Sequence, residues 1–307
     1  MTAVRAAAIF FMLNVVPALA LAADAVKIVW PKSLEVSQGN LLEIKVAGDH
    51  LAAVEGRWGK EKIYFYPGEK NYFSALIGVD VDAKPALNKL SLKVTTSRGA
   101  HHQKDVGMRV KPKAYHQESF QVPPSFDQMT PETLAEIRGE QRAFARAFAT
   151  TSAERLWNGP FIRPVPQEAS ASSFGSRRII NGVARAPHAG TDLSAPMGTE
   201  VLAVNDGRVV LVGNFFFAGG SVVLDHGGGL FTMYFHLSDF KVGEGLFVHK
   251  GDVLALSGAT GRVTGPHLHW GVRLNNSRVD PLELLRKFSD QTKNLLESNK
   301  PEIKLEQ

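Results

Sequence analysis

Short runs in which apolar and polar residues alternate, punctuated by glycine, proline and asparagine, make up most of this chain. One stretch near its middle follows a helical period instead. Over residues 24–113 the runs Val26–Trp30, Leu41–Val46, Lys62–Tyr66, Tyr72–Val79 and Leu90–Thr95 read as strands. The turn signals Gln38-Gly-Asn40, Gly48-Asp-His50, Pro67-Gly68 and Ala83-Lys-Pro85 separate them. Short strands at this spacing predict a β-sandwich-like N-terminal domain. His101 and His102, flanked by Arg98, Gly99 and Lys104, are expected in an exposed loop; neighbours on a strand face opposite ways and cannot share a metal.

Residues 114–170 read as a connector. Pro123-Pro124 breaks regular structure, and Thr130-Pro131 opens a helix with proline at its first position. From there to Trp157, Leu134, Ile137, Phe144, Phe148 and Leu156 fall on one side. That stripe is expected to pack on one of the flanking units, until Gly159-Pro160 ends the helix. Residues 171–286 return to strands. Val201–Val204 and Arg208–Val212 about Asn205-Asp-Gly207 predict a tight hairpin. Ser221–Asp225 and Leu230–His236 about His226-Gly-Gly-Gly229 predict a second, with His226 on the surface. Val253–Leu256 and His267–Arg273 follow, then a helix from Pro281 and a polar tail over 287–307. The fold class is mainly β: the sandwich-like domain, the helical connector and a C-terminal domain of antiparallel strands.

Hydrophobic residues at 44% and charged residues at 21% of 307 describe a globular protein, neither disordered nor embedded in a membrane. Arg5, the apolar run Ala6–Val16 and the small residues of Pro17-Ala-Leu-Ala-Leu-Ala-Ala23 read as a signal peptide over 1–23, with an apolar run too short to span a bilayer. The chain has no cysteine, hence no disulfide and no acceptor for a lipid anchor. An exported, periplasmic protein without a stable membrane anchor is expected. The net charge of +5 suits an anionic polymer, and no basic stripe interleaved with aromatics points to nucleic acid.

Candidate chemistry is confined to residues 188–269. His188 and Asp192 stand four apart, with Pro187 before and Gly190 between them, in a bent extended segment that turns both toward one point. His267 and His269 lie two apart in a strand and share a face. One of them is enough as a ligand, and the other stands beside it. His236 ends the second hairpin, and Tyr234 is expected on its face. A catalytic zinc takes three ligands from His, Asp or Glu and leaves a position open, which this set can supply.

Four pieces in order carry a family resemblance: Phe174-Gly-Ser-Arg177 upstream of His188-Ala-Gly-Thr-Asp192; Ala203-Val-Asn-Asp-Gly-Arg-Val209; Tyr234-Phe-His-Leu-Ser238; and Val248-His-Lys-Gly-Asp-Val253 through Gly258-Ala-Thr-Gly261 to Gly265-Pro-His-Leu-His269. Residues 171–286 thereby resemble the catalytic domain of the M23 zinc metallopeptidases, the LytM or lysostaphin type. The resemblance implies Zn2+ held by His188, Asp192 and His269, with His236 and His267 as the non-ligand histidines of the catalytic centre. It also implies peptidoglycan as substrate, cleaved in its peptide cross-links. Tyr234 and Arg177 are candidate substrate contacts, Arg177 equally a partner for an acid. Two other readings stand beside this one: a catalytically silent wall-binding regulator of amidases, and a secreted protease acting on proteins. The connector and first domain are further expected to restrict access to the cleft.

Overall fold

The alternating runs are realised as strands in two units. The computed structural model describes residues 26–29, 34–68, 71–121, 123, 129–166 and 173–298, with the side chains of 28, 29 and 290–298 excepted. The proposed signal peptide and residues 299–307 lie outside this range. Among the described residues no helix is long and apolar enough to cross a membrane.

The first unit holds β1 (Val26–Val29), β2 (Glu35–Ser37), β3 (Leu41–Gly48), β4 (Leu51–Trp58), β5 (Glu61–Tyr64), β6 (Tyr66–Pro67), β7 (Tyr72–Gly78), β8 (Leu87–Thr96) and β9 (His101–Lys111). They form two sheets, ordered β1-β3-β7-β6 and β2-β9-β8-β4-β5. Ile44, Val46, Ile63, Ile77, Leu90, Leu92 and Met108 fill the core of this sandwich. His101 and His102 are not in a loop: they open β9, opposite Thr95 and Val94. Strand β9 carries exposed charges on both faces, Lys104 on one and Asp105 and Arg109 on the other, which hides its alternation.

The connector contains β10 (Gln117–Phe120) and α1 (Pro131–Ala149). Thr130 caps the helix, its hydroxyl accepting the Thr133 N–H at 3.2 Å. Phe144 and Phe148 of α1 pack on Phe215, Phe231 and Phe235 of the second unit, with ring centroids 4.8–5.7 Å apart. Trp157, Phe161 and Val165, within the stretch read as connector, are buried in the second unit's core.

The second unit comprises β11 (Arg177–Ile180), β12 (Val183–Ala184), β13 (Gly190–Leu193), β14 (Glu200–Leu202), β15 (Gly207–Phe215), β16 (Gly219–Asp225), β17 (Leu230–Phe240), β18 (Phe247–Val248), β19 (Val253–Ser257), β20 (Leu268–Leu274), β21 (Ser277–Val279) and α2 (Pro281–Ser298). Its main sheet runs β13-β20-β17-β16-β15-β18. The hairpin expected about Asn205-Asp-Gly207 does not form: β14 pairs with β19, and β15 with β16 and β18. The cause is Asn205. It is fully buried, and its Oδ1 takes the N–H groups of Asn158 at 3.0 Å and Asp206 at 2.9 Å, tying the turn to the connector. The second hairpin is present as β16 and β17. Helix α2 continues to Ser298, and Phe288 is buried in the core, so the stretch from 287 begins as helix and not as tail.

Candidate metal centre

Strands β13 and β20 are antiparallel neighbours, and their register sets Asp192 directly opposite His269. His188 lies just before β13. Its backbone is fixed by two bonds to the 173–177 loop: its N–H donates to Ser176 O at 2.9 Å, and its carbonyl takes the Gly175 N–H at 2.8 Å. These supports bring three donor atoms together. His188 Nε2 is 2.9 Å from His269 Nδ1, and Asp192 Oδ1 is 3.1 Å and 3.0 Å from the same two nitrogens. Among the described residues this is the one group of three or more His, Cys, Asp or Glu donors close enough to hold a metal ion.

The donor set fits zinc. Two imidazole nitrogens and a carboxylate oxygen make a three-ligand catalytic complement, and tetrahedral bonds of about 2.0–2.2 Å subtend edges of roughly 3.3–3.6 Å, which these donors reach by parting a few tenths of an ångström. The tautomer agrees as well. His188 Nδ1 lies 3.0 Å from Ser173 O, an acceptor, so Nδ1 carries the proton and the Nε2 lone pair faces the cluster. Burial raises the affinity of the Asp192 carboxyl for its proton, but the neighbouring His188 and His269 outweigh it and hold the group ionised well below the ordinary range. Burial depresses His269, keeping its ring neutral. Both are the states a cation needs.

His236 and His267 stand beside this triad, their ring centroids 4.7 Å apart, with His236 6.0 Å from the His269 ring. Each has its Nδ1 against a backbone carbonyl: His236 on Thr260 O at 3.0 Å, His267 on Gly265 O at 2.9 Å. The neutral form of either ring therefore carries its proton on Nδ1 and leaves Nε2 as an acceptor. His267 Nε2 is 3.7 Å from Asp192 Oδ1. Burial is the main reason the His236 pKa falls to about 4, so this ring is neutral near pH 7. The loop carrying Thr260 reaches His236 because Gly261 and Gly219 let two backbones touch; a Cβ on Gly261 would stand 2.4 Å from Gly219 N. Asp192 has 40% of its side chain exposed against 12% for His269, so the cluster opens to solvent on the Asp192 side.

The two candidate substrate contacts lie elsewhere. Tyr234 is fully buried, its hydroxyl accepting the Val204 N–H at 3.2 Å and bonded to Thr232 at 3.0 Å. It does not share a face with His236, because β17 carries an extra residue between Tyr234 and Leu237 relative to β16 and His236 has φ 66°. Phe235 stands there instead, stacked on the His269 ring at 5.3 Å and 4°. Arg177 is bound to Asp82 of the first unit, realising the ion-pair alternative. His226, expected on the surface, is fully buried between Asp206 O at 2.7 Å and Thr232 Oγ1 at 2.8 Å. Phe216 and Phe217 are exposed, while Phe215 packs inward.

Residues 186–281, which hold all five clustered side chains, match the model of peptidase family M23. The peptidoglycan DD-endopeptidase ShyA of Vibrio cholerae is 43% identical over 114 residues, 37% of this chain and 26% of that protein. The DD-carboxypeptidase/endopeptidase Mpg of Neisseria meningitidis is 42% identical over 123 residues, 40% of this chain and 28% of that protein. The matched region thus spans about a quarter of these relatives. A crystal structure of a Pseudomonas aeruginosa protein described as a peptidase M23 superposes with a TM-score of 0.61 at 28% identity, covering 81% of this chain and 94% of that one.

Proposed function

We propose that residues 186–281, a segment of peptidase family M23, make this chain a zinc-dependent endopeptidase that hydrolyses amide bonds in peptidoglycan peptide cross-links. The observation that carries the reading is the convergence of His188, Asp192 and His269 on one point, with two further histidines presenting acceptor nitrogens beside it. The relatives named peptidoglycan DD-endopeptidases support the class of bond.

His188 Nε2, Asp192 Oδ1 and His269 Nδ1 would hold the ion. When bound, zinc supplies Lewis acidity that polarises the scissile carbonyl and acidifies the attacking water. The remaining steps belong to His236 and His267. Their Nδ1–H bonds to Thr260 O and Gly265 O lock each ring in orientation and tautomer, so an Nε2 accepts the proton of the attacking water. The imidazolium so formed returns that proton to the leaving amine, and the second ring, when it carries a proton on Nε2 as the imidazolium, would donate to the developing oxyanion. The strands behind the site exclude water from one side, while the exposed edge of Asp192 leaves an approach for an extended peptide. The mature protein acts outside the cytoplasm, in the periplasm, on a polyanionic wall that its basic surplus suits.

Digestion of purified sacculi by the wild type and by His269→Ala, with released fragments read by mass spectrometry, tests the reading. Loss of cross-linked dimers with the wild type alone is expected. No digestion by zinc-loaded wild type would overturn it in favour of a non-wall substrate. No digestion together with no zinc uptake would overturn it in favour of a wall-binding regulator.

A further inference from the structure

We infer that Tyr115 is a positioning residue for the metal ligand His188, so that the first unit is built into the metal site. This rests on the metal-site reading above. The argument starts at Ser173. Its carbonyl accepts the His188 Nδ1–H at 3.0 Å and the Ser176 hydroxyl at 2.7 Å, and its Oγ accepts the Asp192 N–H at 3.0 Å. One residue thus orients two of the three ligands, the first through its ring and the second through its backbone. Partners of this kind set the direction and tautomer of a ligating imidazole.

What holds Ser173 is the residue after it. Phe174 is buried and packs edge-on against Tyr115, with centroids 6.1 Å apart and planes at 72°. The ring of Tyr115 lies so close to Gly175 that a Cβ there would stand 2.2 Å from it. Beyond Phe174 comes Gly39 of the sandwich, where a Cβ would stand 2.5 Å from the phenylalanine ring. The Tyr115 hydroxyl donates to Gln38 O at 2.8 Å, and Gln38 is itself anchored, its Nε2 donating to Ala83 O at 2.7 Å and its Oε1 accepting the Lys113 N–H at 3.1 Å. From the turn of the sandwich to the imidazole the path is Gln38, Tyr115, Phe174, Ser173, His188. Each step is a direct contact or a peptide bond, and each glycine on the way is a place where no side chain fits. Tyr115 touches neither metal ligand nor substrate position; it acts by keeping the Ser173 carbonyl where His188 needs it.

The test measures Zn2+ affinity of the full chain by competition with a chromophoric chelator, and the visible absorption of the Co2+ form as a signature of coordination. Tyr115→Ala is expected to weaken Zn2+ binding about 10–100-fold, the range for losing a supporting partner of a ligand, and to alter the Co2+ bands. Tyr115→Phe keeps the ring and is expected to lose no more than the ~2–12-fold that one hydrogen bond is worth. Leu92→Ala, in the core of the sandwich and far from the site, serves as the control: a lower Tm with unchanged Zn2+ affinity. Should Tyr115→Ala not fold, Tyr115→Leu takes its place with the same expectation. Unchanged affinity and Co2+ bands in the folded variant overturn the inference, as does an equal loss in Leu92→Ala, which would make the effect one of general stability. Failure of the wild type to bind Zn2+ would instead overturn the metal-site reading on which the inference rests.

Discussion

At the scale of single residues, five histidines of the second unit are separated by what their second nitrogen meets. Where Nδ1 donates to a carbonyl, as in His188, His236 and His267, Nε2 is left for chemistry; only in His188 does it meet the other two donors of the triad. Holding metal and moving protons should therefore be separable. His269→Ala is expected to lose both bound zinc and activity. His236→Ala and His267→Ala are expected to retain zinc, measured by atomic absorption, while kcat falls by about 10²–10⁴, the range for a general acid or base. Zinc loss in all three would contradict the division of roles. His226 uses both nitrogens inside the core, and burial takes its pKa from 6.5 to about 4. Between those values the unfolded chain binds a proton that the folded chain does not. Its contribution to stability is therefore whole above pH 6.5 and is lost as pH falls toward 4, by up to about 3 kcal/mol. His226→Gln keeps a donor and an acceptor but cannot titrate. Chemical denaturation of the metal-free protein at pH 7.5 and 5 should show a smaller drop in this variant than in the wild type. The slope shrinks without vanishing, because His236 and His269 are depressed in the same direction.

At the scale of elements, most strands and the convergence of His188, Asp192 and His269 were legible in the sequence, and the misses share a physical origin. Period-two reasoning found β3, β7, β16, β17 and β20 because their buried faces are continuous. It passed over β4 and β9, whose buried positions are interleaved with Glu55, Arg57 and Arg109. It put Tyr234 on the face of His236 because a bulge is one extra residue that no local pattern announces. It closed a hairpin about Asn205 because the partner that captures that side chain, Asn158, is distant in sequence. His188 and Asp192 were found because Pro187 and Gly190 mark the bend, and Gly190 has a second use that sequence does not reveal. A Cβ there would stand 2.5 Å from His269 Nε2 and 2.5 Å from Trp270 O. Gly190→Ala should push the imidazole off its line and weaken zinc binding at least tenfold, while the β13–β20 pairing survives. Equilibrium dialysis measures the first and far-ultraviolet circular dichroism the second. Helix α1 poses the other question at this scale. Its Phe144 touches Phe235, which stacks on His269, so the helix lines the sheet face next to the cluster. Phe144→Ala with Phe148→Ala loosens that docking. Turnover on intact sacculi, relative to a short soluble cross-link peptide, is expected to rise if α1 stands in the path of large substrates; an unchanged ratio removes the helix from that path.

At the scale of the whole molecule, the two units share an interface too close for independent motion. Leu41, Tyr66 and Leu76 of the sandwich pack against the core of the second unit, and a Cβ on Gly78 would stand 2.7 Å from Leu274 O. At the edge of this contact Arg278 binds Asp80 through Nε at 3.0 Å and Nη2 at 2.6 Å, and reaches Asp82 at 3.1 Å; Asp82 also receives Arg177. The guanidinium and the Asp80 carboxylate are each about a quarter exposed, so their attraction is screened less than that of a surface pair. The pairing fixes the orientation of β20 and β21, the first of which carries His269, against the sandwich that carries Gln38. Such an arrangement predicts that the sandwich and the second unit unfold together, in one calorimetric transition whose van't Hoff and calorimetric enthalpies agree. Arg278→Ala leaves Asp80 without its bidentate partner and should cost about 1.5–3 kcal/mol, the worth of hydrogen bonds to a charged group. Because that loss falls on the interface and not on either core, the single transition should divide into two, the sandwich separating from the second unit. One transition merely shifted to lower temperature would instead mean that the apolar contacts of Leu41, Tyr66 and Leu76 suffice to couple the units and that the ion pairs only trim their register.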